Sequence, residues 1–199
     1  LPPARLQRHP PGPSWPGPKV PRSSTYAPLM QVIEGHTVRL RPAADDDLDR
    51  LVAIRATPEV HRRWGGKDLP TEIGRDLADD RLHQLAVEDA TGAVVGLIQW
   101  EQEDDPDYRH ASIDIYLDPA VHGRGLGTDA VAALARHLVE ERGHHRLTID
   151  PAADNGPAIR CYEKVGFRPV GIMRRYERGP DGTWHDSLLM DLLADELDS

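Results

Sequence analysis

Three features of the sequence predict an α/β fold. Apolar and polar residues alternate over residues 110–117, which is the pattern of a strand with one buried face. Apolar residues at helical spacing follow over residues 129–142. A glycine-rich turn at residues 121–128 joins the two, as in folds where strands lead directly into helices. The 199 residues suit one domain with a sizeable core.

The other elements follow from the same patterns in chain order. We expect a strand at residues 31–41, a helix that begins with a run of aspartates at 45–56, a short helix after a proline at 58–63 and a third helix at 71–83. A strand pair at 84–88 and 94–103 follows, and a further strand at 145–150 comes after the helix that follows the glycine turn. The last elements are a helix at 155–165 and a strand pair on the two sides of a Pro-Asp-Gly turn at 180–182. The sheet is therefore expected to have six or seven strands.

The first 29 residues are expected to lie outside this domain, which spans residues 30–199. They hold nine of the chain's 18 prolines and no acidic residue. Their basic residues are Arg5, Arg8, Lys19 and Arg22. Proline at this density interrupts helices and sheets, so we expect a disordered or extended leader. A tag or translated upstream sequence before a natural start at Met30 explains it, and a regulatory tail is the alternative.

The charge of the chain favours a cationic partner. There are 24 basic and 33 acidic side chains, and the leader holds four of the basic ones, so residues 30–199 carry a formal charge of −13. Such a field repels nucleic acid and attracts a polyamine, an aminoglycoside or a basic peptide, unless it serves solubility alone. No apolar run of the sequence is long enough to span a membrane. We expect a cytoplasmic monomer or homodimer that needs no metal.

The turn at residues 121–128 carries glycine at every second position, namely Gly123, Gly125 and Gly127. Glycine lets the backbone turn sharply and lets its N–H groups approach a ligand closely. These N–H groups come just before a helix, whose dipole also favours negative charge at its N-terminus. The turn therefore predicts an anion site, with a purely structural turn as the alternative.

A second motif begins at Asn155 and reads Asn-x-x-Ala-x-x-x-Tyr-Glu-Lys-x-Gly-Phe after a strand. Together with the glycine turn, it resembles the acetyl-CoA-binding half of the GCN5-related N-acetyltransferases, the GNAT family. The resemblance implies the GNAT fold, a central mixed and mostly antiparallel sheet flanked by helices, with acetyl-CoA as cofactor. His122 departs from the family, which has Gln or Arg there, but backbone amides provide most of the binding at that turn.

The resemblance also implies which residues contact the cofactor. They are Tyr116, Leu117, His122, Gly123, Arg124, Gly125, Leu126, Gly127, Thr128, Asn155, Ala158, Tyr162 and Lys164. A backbone N–H near Tyr116 or Leu117 would position the acetyl carbonyl in a splayed strand. The Tyr162 hydroxyl would protonate the departing thiolate, unless this tyrosine only packs its helix on the sheet. Asn155 would bond the amide arm of the cofactor or cap its helix, in competition with Asp154.

Three residues indicate the acceptor. Asp114 lies between apolar neighbours in its strand, Asp150 ends the next strand, and Trp64 precedes two glycines. Carboxylates in such places are costly unless they pair or function, and a tryptophan offers a platform for a sugar or a cation. The alternatives are a salt-bridged Asp114, a turn at Asp150 and a packed Trp64. Cys161, the single cysteine, is expected to pack rather than to act as a nucleophile.

In combination these residues resemble the aminoglycoside 6′-N-acetyltransferases, a group that confers antibiotic resistance. The resemblance implies that Asp114 and Asp150 hold ammonium groups and that Asp114 is the candidate general base, directly or through water. Asp181 also has a counterpart there, but we interpret it as a turn residue. Residues 101–108 show no clear match, and one residue fewer separates the Asp114 strand from the glycine turn. A polyamine, a siderophore precursor or a protein N-terminus remains an alternative acceptor, and a cofactor-binding sensor an alternative function.

Overall fold

The computed structural model describes residues 32–79 and 81–197, so the predictions for the leader and for Met30 lie outside the described residues. Eight strands and five helices, with three short 3-10 turns, make up the described part. In chain order they are β1 (Ile33–Glu34), β2 (Val38–Pro42), α1 (Leu48–Arg55), α2 (Pro58–Trp64), α3 (Leu69–Leu77), β3 (His83–Asp89), β4 (Val94–Gln102), β5 (Ala111–Leu117), α4 (Leu126–Glu140), β6 (Arg146–Ile149), α5 (Gly156–Val165), β7 (Arg168–Arg178) and β8 (Trp184–Leu193).

The strands form one sheet in the order β1-β2-β3-β4-β5-β6-β8-β7. Every neighbouring pair is antiparallel except β5 with β6, so the sheet is mixed and mostly antiparallel, as expected. The strand predicted at residues 31–41 is instead a hairpin of β1 and β2, which accounts for the eighth strand. Its turn is closed by the N–H of Gly35, which donates to the carbonyl of Val38 over 2.9 Å.

Strands β5 and β6 run side by side for only two residue pairs. Ala111 pairs with Leu147 and Ser112 with Thr148, and the two strands then part. From Ile113 onward, β5 therefore has no ladder partner on its β6 side. The expectation of a splayed strand beside the glycine turn is confirmed, and the gap between the two strands opens the sheet to a ligand.

Alternation along β5 separates the two faces of the sheet. Ile113 is fully buried on the face covered by α4, together with Leu134, Leu147 and Met190. The opposite face is covered over part of its area by α1, α2 and α3, where Tyr116 packs in a second apolar cluster. The rest of that second face carries the polar residues of the site.

Two carboxylates stabilise the structure around β2, one through hydrogen bonds and one through an ion pair. Asp129, in the first turn of α4, accepts from the N–H groups of His36, Thr37 and Val38 over 2.6–3.0 Å, and also from the Thr37 hydroxyl. Burial alone would raise the pKa of Asp129, but these four bonds lower it below its usual value. Asp47 is buried and makes a bidentate ion pair with Arg41.

Candidate active site

An open cleft of about 580 Å³ lies where β5 leaves β6. One wall is α2, the opposite wall is α5, and the floor is made by the end of β5 and the glycine turn that leads into α4. Every cofactor position expected from the sequence lines this cleft except Arg124, which is exposed and outside the lining. The two separate motifs of the sequence are therefore brought to one site.

The glycine turn has a geometry that suits an anion. Gly123 and Gly125 have φ values of +75° and +84°, in the left-handed region that side chains disfavour. Gly125 caps α4, and no side chain accepts the first N–H groups of this 15-residue helix. At Gly127 an added Cβ would come within 3.3 Å of Leu117. Free N–H groups at the end of a long helix fit the diphosphate of coenzyme A.

The end of β5 supplies the other backbone surface. Leu117 and Tyr116 both line the cleft, but the Tyr116 side chain is buried against α1–α3. Its ring meets Trp64 edge to face, with the ring centres 4.9 Å apart. The backbone of Tyr116 is thus the part that faces the cleft. Trp64 also lines the cleft, and Arg55 lies over its ring, so it is a packed wall residue rather than a free platform.

Helix α5 places a hydroxyl and an amide in the cleft. Tyr162 is buried and its pKa is raised, by burial first and then by nearby Cys161, Asp114 and Asp150, so it is a neutral O–H donor over the physiological range. Asn155 caps the helix, and its side chain accepts weakly from the N–H of Ala158 over 3.4 Å. The capping alternative for Asn155 is therefore realised, and its amide nitrogen remains available in the cleft.

Contacts of three further residues bear on the expectations from the sequence. Asp154 does not cap α5 but makes an ion pair with Arg63 of α2, which links the two walls of the cleft. The Cys161 sulfur lies 3.2 Å from the Thr128 hydroxyl and ties α5 to α4. Burial raises the pKa of the Cys161 thiol, which disfavours the thiolate and agrees with a packing role. Asp181 accepts from Thr183 within its turn, as its structural interpretation requires.

An acidic cluster lies beside Tyr162 on the uncovered part of the sheet. We define it as Glu101 of β4, Asp114 of β5, Asp150 after β6 and Glu177 of β7. Burial raises the pKa of Asp150 to about 6, with further contributions from Asp114 and Glu177. The pKa of Asp114 is also raised, first by its enclosure among protein atoms and then by Glu101 and Glu177, although its carboxylate remains open to solvent. The two carboxylates predicted from the sequence thus belong to a larger group.

Among the described residues, cations act on the acidic cluster only from beyond ion-pair distance, as Arg63 and His185 do on Glu177. Other carboxylates near the cleft are paired, such as Asp154 with Arg63 and Asp118 with Arg50. None of the four makes an ion pair with a residue in the described part of the chain. Unpaired and crowded carboxylates favour the binding of a cation. The salt-bridged alternative for Asp114 is therefore not what the described residues form.

Neither a metal cluster nor a membrane helix is found in the described part of the chain. No group of three or more His, Cys, Asp or Glu side chains within residues 32–79 and 81–197 is arranged to hold a metal ion. No helix there is long and apolar enough to cross a bilayer.

The parted strands, the glycine turn and the Tyr162 helix define an acyltransferase of the acetyl-CoA type. Residues 37–168 match the sequence profile of the acetyltransferase (GNAT) domain, and the chain belongs to this family. GNAT acetyltransferases use acetyl-CoA, and the cofactor prediction is confirmed at this level. The N-terminus of α4, which no side chain caps, and the close approach of Gly127 to Leu117 fit the binding of acetyl-CoA.

The similarity to individual proteins covers between about half and nine tenths of their length. The aminoglycoside N(6′)-acetyltransferase type 1 of Klebsiella pneumoniae is 32% identical over 166 residues, which cover 73% of this chain and 79% of that protein. The mycothiol acetyltransferase of Gordonia bronchialis is 30% identical over 164 residues, which cover 79% of this chain and 52% of that protein. The structure of Mycobacterium smegmatis RimJ with CoA-disulfide superposes with a TM-score of 0.74 at 23% identity, over 86% of this chain and 91% of that one, and supports the fold.

Proposed function

We propose that this acetyltransferase modifies an amine of a polycationic small molecule, most consistently the 6′-amino group of an aminoglycoside, and so confers resistance. The observation that carries the proposal is the acidic cluster. Its members Asp114 and Asp150 act electrostatically on Tyr162, although none of the four lines the cofactor cleft, and none makes an ion pair with a described residue. Four carboxylates in one place repel each other, and a ligand with several ammonium groups relieves that repulsion.

The charge of the acidic cluster also favours some classes of acceptor over others. A substrate with one amine would compensate one carboxylate and leave the others crowded, whereas an aminoglycoside carries ammonium groups on several rings. A carboxylate or hydroxamate substrate would be repelled by the same four side chains. The cluster therefore favours a polyamine or an aminoglycoside over a siderophore precursor. The 32% identity to the Klebsiella pneumoniae enzyme supports the aminoglycoside, and the Gordonia bronchialis relative keeps other amines in the comparison.

Acetyl transfer requires two proton movements, and the chain has one group for each. Acetyl-CoA supplies the acetyl group, so that a new C–N bond forms while the C–S bond breaks. The amine must lose a proton, and Asp114 in the acidic cluster is the acceptor, directly or through water. The departing sulfur must gain a proton, and the neutral Tyr162 hydroxyl donates it. Asp150 holds a second ammonium group of the acceptor beside Asp114.

The proposal is tested first by measuring free thiol release from acetyl-CoA with a panel of amines. The panel contains aminoglycosides with a 6′-amine, matched analogues with a 6′-hydroxyl, spermidine and a lysine-rich peptide. Rapid release with the 6′-amines and none with the 6′-hydroxyl analogues supports both the substrate class and the position. Release with spermidine or the peptide alone leaves the family intact and overturns the substrate proposal.

Two substitutions test the catalytic roles. Asp114→Asn is expected to lower kcat at neutral pH by at least about tenfold, the lower part of what a general base contributes. Tyr162→Phe is expected to lower kcat while the Kd of acetyl-CoA changes little, because the hydroxyl acts in the transfer step. Asp49→Asn, which changes an exposed carboxylate on α1, is the matched control and should leave kcat unchanged. A folded Asp114→Asn protein with normal kcat removes Asp114 from the mechanism.

A further inference from the structure

We propose that Gln84 and Gln99 form a positioning row that holds Asp114 ionised and oriented for proton transfer. The inference deepens the proposed function, because it rests on Asp114 as the base. It concerns two residues that do not line the cofactor cleft. Their place in the sheet puts them directly behind the base.

The three side chains lie side by side on adjacent strands. In the register of the sheet, Gln84 of β3 is opposite Gln99 of β4, and Gln99 is opposite Asp114 of β5. Directly opposite residues project from the same face of a sheet, with Cβ atoms about 5 Å apart. The row therefore runs across the polar part of the face and ends at the acidic cluster.

The hydrogen bond within the row fixes the orientation of the Gln99 amide. The Nε2 group of Gln84 donates to Oε1 of Gln99 over 2.9 Å. Because an amide has its oxygen and its nitrogen on opposite sides, this bond leaves Nε2 of Gln99 to point the other way, as a donor. Gln99 lies directly opposite Asp114, and its side chain lowers the pKa of the Asp114 carboxyl as a hydrogen-bond donor. A donor stabilises the carboxylate form of Asp114, whereas the amide oxygen would stabilise the protonated form.

The unpaired end of the row agrees with this orientation. Oε1 of Gln84 is buried and has no hydrogen-bond partner among the described residues. A flip of the Gln84 amide would place that oxygen against Gln99 and would require Gln99 to turn as well. Gln99 would then present its oxygen to the Asp114 carboxylate, and two acceptors would face each other. The open acceptor of Gln84 is the consequence of keeping a donor on Asp114.

The row lowers the pKa of Asp114, whereas burial and the neighbouring carboxylates raise it. Enclosure by the protein raises the pKa of Asp114, and neighbouring carboxylates raise it further. The titratable groups that face Asp114 are Glu101 of β4, Asp150 after β6, Glu177 and Tyr176 of β7, and Tyr162 of α5. Gln99 is the group that acts in the opposite direction, as the donor of the hydrogen bond. Without it, the pKa of Asp114 would be higher, and the protonated form, which cannot accept a proton, would persist to higher pH.

The test measures the titration of Asp114 directly, so it does not depend on the acceptor. The protein is labelled with ¹³C at the aspartate carboxyl, and the Asp114 resonance is assigned as the one missing in Asp114→Asn. Gln99→Met removes the donor at nearly constant shape and is expected to raise the pKa by about 1, the usual effect of one hydrogen bond to a carboxylate. Gln84→Met keeps the Gln99 donor but removes the bond that fixes the orientation of the Gln99 amide, so a smaller rise in the pKa of Asp114 is expected.

The matched control is Gln102→Met on the same strand, where the side chain bonds Asp104 instead of Asp114. It should leave the Asp114 titration unchanged. The pH profile of kcat/KM gives the functional readout: the acid limb should move to higher pH in Gln99→Met, with kcat at high pH retained. Asp114 titrations that coincide in the wild type, Gln99→Met and Gln84→Met overturn this inference.

The outcomes for Asp114 itself keep the two proposals apart. If Asp114→Asn retains full turnover while Gln99→Met shifts the NMR titration, the base role is wrong and the hydrogen-bonded row is real but does not serve catalysis. If Asp114→Asn is inactive while Gln99→Met and Gln84→Met leave the titration in place, the proposed function stands and this inference is overturned. Loss of turnover in Asp114→Asn together with both shifts supports the two proposals.

Discussion

His144 makes the stability of this protein sensitive to acid. The side chain is 1% exposed, and neither ring nitrogen has a hydrogen-bond partner among the described residues. Its ring meets Trp100 edge to face, with the ring centres 5.9 Å apart. Burial, followed by the nearby cations Arg109 and Arg142, lowers the pKa of His144 from 6.5 to about 4.

The sign and the size of the effect follow from this difference. Above pH 6.5 the imidazole is neutral in the folded and unfolded states, and its titration costs nothing. As the pH falls from 6.5 toward 4, the unfolded chain binds a proton that the folded protein does not, and the free energy of unfolding decreases. The loss amounts to about 2 kcal/mol at pH 5 and approaches about 3 kcal/mol below pH 4.

Urea unfolding between pH 8 and pH 4.5 measures this contribution by comparing the wild type with His144→Leu. Other groups titrate in both proteins, so the informative quantity is the difference between their two pH dependences. We expect the wild type to lose about 2 kcal/mol more than His144→Leu between pH 8 and pH 5. His36→Gln, which removes an exposed imidazole from the β1–β2 turn, should follow the wild-type curve. Parallel curves for the wild type and His144→Leu would refute the reasoning.

Three further predictions concern the site and the framework. Because the pKa of Asp150 is about 6, its protonation should lower kcat/KM for a cationic acceptor by up to about tenfold per pH unit below 6, in addition to the acid limb that belongs to Asp114. Asp150→Asn should lower kcat/KM at pH 7.5 and make the acid limb less steep, and an acid limb as steep as that of the wild type contradicts this prediction. Gly125→Ala, at φ +84°, should introduce about 1–2 kcal/mol of backbone strain and raise the Kd of acetyl-CoA, measured by calorimetry, by about tenfold. Gly92→Ala, at φ +81° in a distant turn, should lose similar stability while the Kd stays unchanged. Arg41→Met leaves two largely buried carboxylates without their cation and should cost about 2–3 kcal/mol in urea unfolding. Arg81→Met, at an exposed pair, should have little effect on unfolding, and equal losses in the two variants would exclude a special role for the Arg41 network.

The sequence was most informative where one residue type has one geometric use. The glycines at 123 and 125 adopt positive φ, and the helix after them begins at Leu126, within a few residues of the predicted start. Asn155 caps α5 at the predicted boundary. In each place the local chain carries the reason for the structure. Turn and cap chemistry could therefore be interpreted without knowledge of the rest of the fold.

Elements that depend on distant residues were predicted less well. The β1–β2 turn lies inside a run that has the composition of one strand, and it is held by Asp129, more than ninety residues away in the chain. Helix α3 ends at Leu77, not at residue 83, so the predicted helix overran into the approach to β3. Its start at Leu69 was missed although Pro70 is a residue that favours a first helical turn.

The acidic cluster shows the same limit in the site. Asp114 and Asp150 could be singled out because each is a carboxylate in or at the end of an apolar strand. Glu101 and Glu177 could not, since their approach depends on the pairing of β4 with β5 and on an irregularity of β7 between Met173 and Glu177. Register is set by contacts between strands, and a shift of one residue would send these side chains to the other face.

The bonds of Asp129 connect the first hairpin to the anion end of α4. A carboxylate in the first turn of a helix would oppose a second anion there, but four donors from the β1–β2 turn compensate this one. We therefore expect the stability of the hairpin to be coupled to the occupancy of the cleft, although His36, Thr37 and Val38 do not line it. Because such coupling is reciprocal, binding of the cofactor at the N-terminus of α4 should slow the opening of the hairpin. The rate of hydrogen exchange at these three amides should then report cofactor binding from a distance.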